Sequence, residues 1–271
     1  MQLADRNVLV TGGSKGIGKA IARELLSRGA NAILLARGAE ALEEARAELA
    51  EAFPERSIWT VTADVSDYAA VERAIGNAVS QANSIGGVVN NAGIAMPRYF
   101  DEISVDEFEH VMKVDYLGSV YVTKAVVPHL SAGSFVAFTS SVAGYIGAFG
   151  YASYSPAKFA QIGFAEVLDQ ELMARGIRVC VLCPPDTETP GLEEENKIKP
   201  FETAEMAKTA SLMKADAVAK KFVDGLVRGT FLINCNIESR VLYRLKGAAP
   251  GIARVILRNM VRKAQAKKPV G

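Results

Sequence analysis

The sequence predicts an α/β protein: a doubly wound parallel sheet with helices on both faces, followed by a basic helical extension at the C-terminus. Three observations carry this. Short apolar, β-rich runs alternate with longer helical patterns, a glycine-rich loop follows the first run, and the last stretch of chain holds basic but no acidic residues. Strands alternating with helices at this spacing imply right-handed βαβ crossovers.

The elements follow in order. NVLVTG reads as a strand, and a helix runs from about Gly16 to Arg28. NAILLA is a second strand, followed by a long helix ending before Pro54. SIWTVTA is a third strand and Asp67 to Gln81 is helical. SIGGVVNNAG supplies the fourth strand, and helices run through VDEFEHVMKVDYLGSVYVTKAVVPHL. SFVAFTSS is the fifth strand, YASYSPAKFA opens a helix, and IRVCVLC is the sixth strand. A helix near Ala215 to Val227 leads into TFLINC. No internal repeat or low-complexity linker interrupts the series, and the expected boundary lies near Cys235. Residues 1–235 are expected to form the main domain and 236–271 the extension.

Composition narrows the class. The 271 residues are 49% hydrophobic and 23% charged, which excludes a disordered chain and supplies a core. Net charge is only +1, but nine of the 31 basic residues lie from Arg240 onward with no Asp or Glu. The rest keeps 22 basic against 30 acidic residues, a net of −8: an acidic body with a basic tail. Three cysteines make no disulfide framework and point to a reducing compartment, hence the cytoplasm. Cys180 and Cys183 have the spacing of a metal pair, but in a strand residues three apart face opposite ways, so packing is their role and no metal is expected. QLADRNVLV carries no signal-peptide pattern, and no apolar run is long enough to cross a membrane.

Thr11-Gly12-Gly13-Ser14-Lys15-Gly16-Ile17-Gly18 sits at the first βα turn. Glycines there permit a tight turn and bring backbone close to a pyrophosphate at the positive end of the helix. Gly12-x-Ser14-x-Gly16 also mimics a hydrolase nucleophile elbow. That reading fails on context, because neither His110 nor His129 has motif support. An acidic residue ending the second strand would hold the ribose hydroxyls of NAD. Here Leu35-Ala36-Arg37 ends it without an acid, and Lys15 adds a second cation, so NADP(H) is the expected cofactor.

Within YASYSPAKFA, Tyr154 and Lys158 are four residues apart and share one helix face. A free phenol, with a pKa of about 10, releases its proton poorly at neutral pH unless a cation stabilises the phenolate. Lys158 is such a cation. Tyr151 has only Ser155 at the same spacing.

With these residues in view, the chain resembles the short-chain dehydrogenase/reductase family over about residues 5 to 235. TGGSKGIG matches the family's TGxxxGxG loop, Asp64-Val65 the pair bordering adenine, and Asn90-Asn91-Ala92-Gly93 its NNAG motif. Ser141 stands thirteen residues before Tyr154, which opens the YxxxK pattern, and Pro184 to Thr189 matches the segment over the nicotinamide. The resemblance implies that Tyr154 is the acid/base, that Lys158 lowers its pKa and holds the nicotinamide ribose, and that Ser141 donates to the substrate carbonyl. It implies a cofactor shell of Gly12, Ser14, Lys15, Gly16, Ile17 and Gly18 from the loop. Arg37, Asp64 and Val65 serve the adenosine end. Asn91, Ala92, Gly93, Pro184, Thr187 and Thr189 serve the remainder, with Tyr154 and Lys158. Tyr151 is a wall of the substrate pocket. A dimer or tetramer built from helices around 112–130 and 154–174 is also implied.

One position departs from the pattern. Asp115, in Lys113-Val114-Asp115-Tyr116, stands where the family has an Asn that helps hold a proton-relay water. A carboxylate accepts but cannot donate, and its charge acts on a nearby Lys; the backbone carbonyl is one route left to the relay, and whether Asp115 serves in it stays open. Two stretches, DYLGSVY and CPPDTETPGLEEENKIKP, resemble a subgroup that reduces a long-chain amino ketone, 3-ketodihydrosphingosine, in sphingolipid synthesis. Glu193, Glu194 and Glu195 there are candidates for attracting a substrate ammonium, with a solvated acidic turn as the other reading. A 3-oxoacyl or hydroxysteroid reductase of the same family, and a non-catalytic NADP(H)-binding regulator, stand as alternatives.

The tail from Ile252 gathers Arg254, Arg258 and Arg262 within roughly 80° of helical projection. Ile252, Ile256, Leu257 and Met260 lie mainly opposite, and Ala248-Ala249-Pro250-Gly251 splits the tail in two. Residues 240–268 therefore fit either the cytosolic face of an anionic membrane or a packing surface on the body or a partner subunit. A nucleic-acid tail fits neither the apolar side nor the acidic body.

Overall fold

A computed structural model describes residues 1–268. The first half contributes β1 (Asn7–Thr11), α1 (Gly16–Ser27), β2 (Asn31–Ala36), α2 (Ala39–Ala52), β3 (Ile58–Thr62), α3 (Tyr68–Ala82) and β4 (Gly87–Asn90). Then follow α4 (Val105–Val111), a π-helical segment Met112–Leu117, α5 (Gly118–Val126), β5 (Phe135–Thr139), α6 (Tyr154–Met173) and β6 (Arg178–Cys183). The expected strands and helices recur with shifts of a few residues at their ends.

β1, β2, β3, β4, β5 and β6, with a last strand β9 (Leu232–Asn234), form one parallel sheet in the order β3-β2-β1-β4-β5-β6-β9. The order reverses between β1 and β4, which opens a crevice beyond their carboxyl ends. Alternation along each strand explains the two cores. Leu9, Ile33, Val88, Val136, Phe138 and Val181 face α3, α5 and α6. Val8, Val10, Leu34, Val89, Phe135 and Leu182 face the opposite layer, α1, α2 and a later helix, α9 (Ala215–Arg228). Cys180 and Cys183 fall into different cores, as strand alternation requires, and Cys235 is buried too. Burial pushes the Cys180 thiol up to about 12, which suits packing rather than reactivity. Among the described residues no cluster of three or more His, Cys, Asp or Glu is placed to hold a metal.

The segment between β6 and β9 holds more structure than the sequence revealed: β7 (Thr187–Glu188), α7 (Pro190–Ile198), α8 (Phe201–Ala207) and β8 (Met213–Lys214), with β7 and β8 paired in parallel. Thr189 caps α7 by accepting the Leu192 N–H at 3.1 Å. After β9 come α10 (Ile237–Ala248) and α11 (Pro250–Gln265), split where Pro250 opens the second helix.

These last two helices lie against the body. Ala253 and Ala264 are buried. Beyond α11, Lys268 donates to the Tyr99 hydroxyl at 3.1 Å and lies 3.7 Å from Glu202, and Lys267 lies 3.5 Å from Glu205, both acids on α8. Ile237, Val241, Ile252, Val255, Ile256 and Met260 remain exposed. Among the described residues no helix is long and apolar enough to cross a membrane.

Candidate active site

The crevice is built from strand ends. At the end of β1 the Thr11 hydroxyl accepts the Asn91 and Ala92 N–H groups, each at 2.9 Å, and the Asn91 amide donates to the Thr11 carbonyl at 3.1 Å. These bonds lock the glycine loop to the NNAG turn. Gly12 sits at φ +65°, where a side chain is strained, and a Cβ on Gly18 would meet the Gly12 carbonyl oxygen at 2.3 Å. The first turn of α1 therefore presses onto the loop. No side chain caps α1, so its leading N–H groups stay available to an anion.

One cavity of about 490 Å³ runs along this crevice. Gly12, Ser14, Lys15, Gly16 and Ile17 line it, with Arg37, Asp64 and Val65 toward one end. Asn91, Ala92, Gly93, Tyr154, Lys158, Pro184 and Thr189 complete it. Two expected cofactor residues lie off its wall. Gly18 is buried beneath the loop, and Thr187 lines the neighbouring pocket with its hydroxyl donated to the Pro185 carbonyl at 2.8 Å. The cavity fits a phosphorylated dinucleotide: a backbone cradle with no room for side chains, an uncapped helix start, and two exposed cations at the end lacking an acid on β2.

At its inner end the reactive side chains converge. Ser141 ends the loop after β5, while Tyr154 and Lys158 open α6 on one face. Ser141 and Tyr154 line one pocket side by side, and the Lys158 ammonium lies 5.3 Å from the Tyr154 ring centre. Lys158 is almost wholly buried, donating to the Thr139 carbonyl at 3.0 Å and lying 3.0 Å from Asp115 Oδ2. Asp115 is fully buried on the π-helical segment, and its other oxygen accepts the Ile94 N–H at 2.8 Å. π-helical turns often occur at functional sites, and this one swings Asp115 toward α6.

Two features of the surroundings bear on proton movement here. The Asp115 carbonyl accepts both the Ser119 hydroxyl, at 2.7 Å, and the Gln161 amide, at 2.9 Å. Both lone pairs are engaged, which leaves no acceptor for a relay water; the Asp115 side chain faces Lys158 instead. Burial holds the Tyr154 phenol well above its ordinary value, Asp115 and Glu195 push the same way, and only Ser141 opposes them. Burial also raises Asp115 itself, against the pull of Lys158.

A second pocket of about 390 Å³ opens from Ser141 and Tyr154 and is walled by Tyr151, as expected, and by Asp186, Leu242 and Met260. Of the three successive acids, Glu193 and Glu194 are exposed while Glu195 points inward and lines both cavities. Tyr151 donates to Glu195 at 3.1 Å, and Asp186 lies 3.8 Å from the buried Lys199. Among the described residues no cation forms an ion pair with Glu195.

A doubly wound sheet with a glycine-walled crevice and Ser141, Tyr154 and Lys158 at its inner end defines a short-chain oxidoreductase. The chain belongs to the short chain dehydrogenase family, whose model matches residues 6–199. It is 42% identical over 237 residues to a 3-dehydrosphinganine reductase of Danio rerio, covering 85% of this chain and 71% of that protein. It is 38% identical over 256 residues to the 3-ketodihydrosphingosine reductase of Bos taurus, covering 92% and 77%. Among solved structures it is similar to levodione reductase, with a TM-score of 0.77 and 27% identity over 85% of this chain and 96% of that one. A short chain dehydrogenase from Burkholderia cenocepacia J2315 in complex with NADP gives a TM-score of 0.74 and 28% identity, covering 86% and 97%.

Proposed function

We propose that this protein reduces 3-ketodihydrosphingosine to dihydrosphingosine with NADPH. The observation that carries the reading is the pocket on Ser141 and Tyr154, which joins the inward Glu195 carboxylate to Leu242 and Met260 of the C-terminal helices. Its substrate is thus a ketone with a cation at one end and hydrocarbon at the other. The curated relatives, named for this activity, support the same choice. Lys15 and Arg37 would hold a 2′-phosphate, the α1 N-terminus the pyrophosphate, and Lys158 the nicotinamide ribose. The cofactor, when bound, supplies the hydride. Ser141 donates to the substrate oxygen and fixes the carbonyl. Tyr154, protonated at neutral pH, gives its proton to that oxygen as negative charge develops there.

Glu195, rather than Glu193 or Glu194, holds the substrate ammonium, assisted by the Tyr151 hydroxyl. A charged hydrogen bond of this kind contributes about 1.5–3 kcal/mol, or roughly 10- to 100-fold in affinity. NADPH oxidation is to be followed with 3-ketodihydrosphingosine, an amine-free analogue, an acetoacetyl thioester and a steroid ketone. The amino ketone is expected to give the highest kcat/KM, and NADPH to exceed NADH. Glu195→Gln should raise KM roughly tenfold or more for the amino ketone alone. Faster reduction of the thioester or steroid would transfer the reading to those substrates.

Residues 240–268 contact an anionic membrane on its cytosolic face. The exposed apolar side chains of α10 and α11, among nine basic residues, support this. Flotation with anionic liposomes should carry the full chain but not a version ending at Ile237; equal partitioning would remove the membrane role. A homo-oligomer through α5 and α6 is supported by Phe159, Val167 and Met173, exposed on α6.

A further inference from the structure

The substrate pocket does not end at α11. Its outer wall shares Ile146, Ala148 and Met206 with a larger groove of about 760 Å³ between α8, α11 and the loop after β5. Apolar surface from Phe149, Pro250, Leu257 and Val261 forms this groove, while Lys246, Arg254, Arg258 and Arg262 stand along it. Long basic side chains cover apolar surface with their stems while the charge reaches water, so these cations rim the groove without making its floor polar. Met206 sits where the two spaces meet. Its unbranched thioether chain changes shape at little cost, which suits a junction that must pass hydrocarbon. Pocket and groove together run from the reactive Ser141 and Tyr154 to the surface helices.

We propose that this groove is the binding site for the distal alkyl chain of the substrate, threaded past Met206 and covered by α11. The proposal rests on the ketone-reductase reading and adds to it a route and a selection for chain length. The tail helix is then part of the specificity machinery. The occupant is a saturated chain because the groove continues a pocket whose other end already holds the polar head. Cations along the rim repel the substrate ammonium and so fix its orientation, amine toward Glu195 and chain toward α11.

The test compares a short-chain with a long-chain 2-amino-3-ketone. At about 0.8 kcal/mol per buried methylene, each added CH₂ seated in the groove should raise kcat/KM by up to about fourfold. Leu257→Trp and Val261→Trp, which line the groove but not the pocket, should lower kcat/KM for the long ketone by at least about thirtyfold while leaving the short one within about twofold, which also shows that both variants fold. Independently of mutation, a long ketone with a photoreactive diazirine at the chain end should label the peptide holding Leu257 and Val261. Equal kcat/KM for both ketones in the wild type, equal losses in the variants, or labelling confined to other peptides would overturn the groove. Failure of the wild type to reduce either ketone would instead overturn the underlying reading.

Discussion

Replacing Tyr154 by Phe is expected to lower kcat for ketone reduction by about 10²–10⁴-fold while NADPH binding changes little. Positioned proton donors contribute rate factors of about this size, and the ring itself is retained. The wild-type pH profile carries the same information. Reduction needs the phenol protonated, and burial, then Asp115, hold it well above its ordinary value. Reduction is therefore flat through neutral pH and declines only in strong alkali. The reverse oxidation needs the phenolate and should climb as pH rises. Measuring kcat in both directions between neutral pH and strong alkali checks this, with circular dichroism to confirm the Tyr154→Phe fold. An unchanged kcat in the variant would remove Tyr154 from the chemistry.

The second large effect concerns the buried pair. Lys158→Met leaves Asp115 fully buried opposite an apolar chain, keeping only the Ile94 N–H. Breaking a buried pair from one side costs about 3–5 kcal/mol, and each kcal/mol lowers Tm by roughly 2–4 °C in a chain of this size. Burial already raises Asp115 with Lys158 present, so without the ammonium its folded-state pKa stands further above the unfolded value near 4. The folded variant then binds the extra proton, and its stability falls as pH rises across that interval. Its deficit should be largest at neutral pH and shrink toward pH ~4. Adding Asp115→Asn should recover most of the stability, since the amide carries no charge, but not turnover, since no ammonium remains to hold the nicotinamide ribose. Thermal unfolding at several pH values with parallel rate assays separates the two roles; a stable single variant, or a double variant with restored turnover, would contradict them.

Much of this is legible in the sequence, for physical reasons that differ by region. The sheet could be read because buried parallel strands are continuous apolar runs, and NVLVT, NAILLA and RVCVLC have no other reading beside glycines. The glycine loop and the Tyr154–Lys158 spacing could be read because they are local. The contact of Asp115 with Lys158 could not: 43 positions separate them, and a π-helical turn has no period of its own in the sequence. α7 escaped for the opposite reason. It buries no side chain, so GLEEENK shows no apolar stripe, and only its phase reveals that Glu195 turns inward while Glu193 and Glu194 do not. α8 buries Glu202 and Thr203, which read as surface residues until Tyr99 and the Phe149 carbonyl prove to be their partners. The amphipathic character of α11 was visible, but its orientation was not. Its arginines stand along a groove against the body while Ile252 and Ile256 face outward.

A ketone carbon that accepts a hydride keeps that hydrogen. The protein should therefore be incubated with 3-ketodihydrosphingosine and NADPH carrying deuterium on both C4 positions of the nicotinamide, and the product weighed by mass spectrometry. Dihydrosphingosine with one deuterium on the new carbinol carbon is the expected result, lost together with turnover in Tyr154→Phe. No alcohol from an active-cofactor preparation, or an alcohol without the label, would contradict the assignment of this chain as a reductase of that ketone.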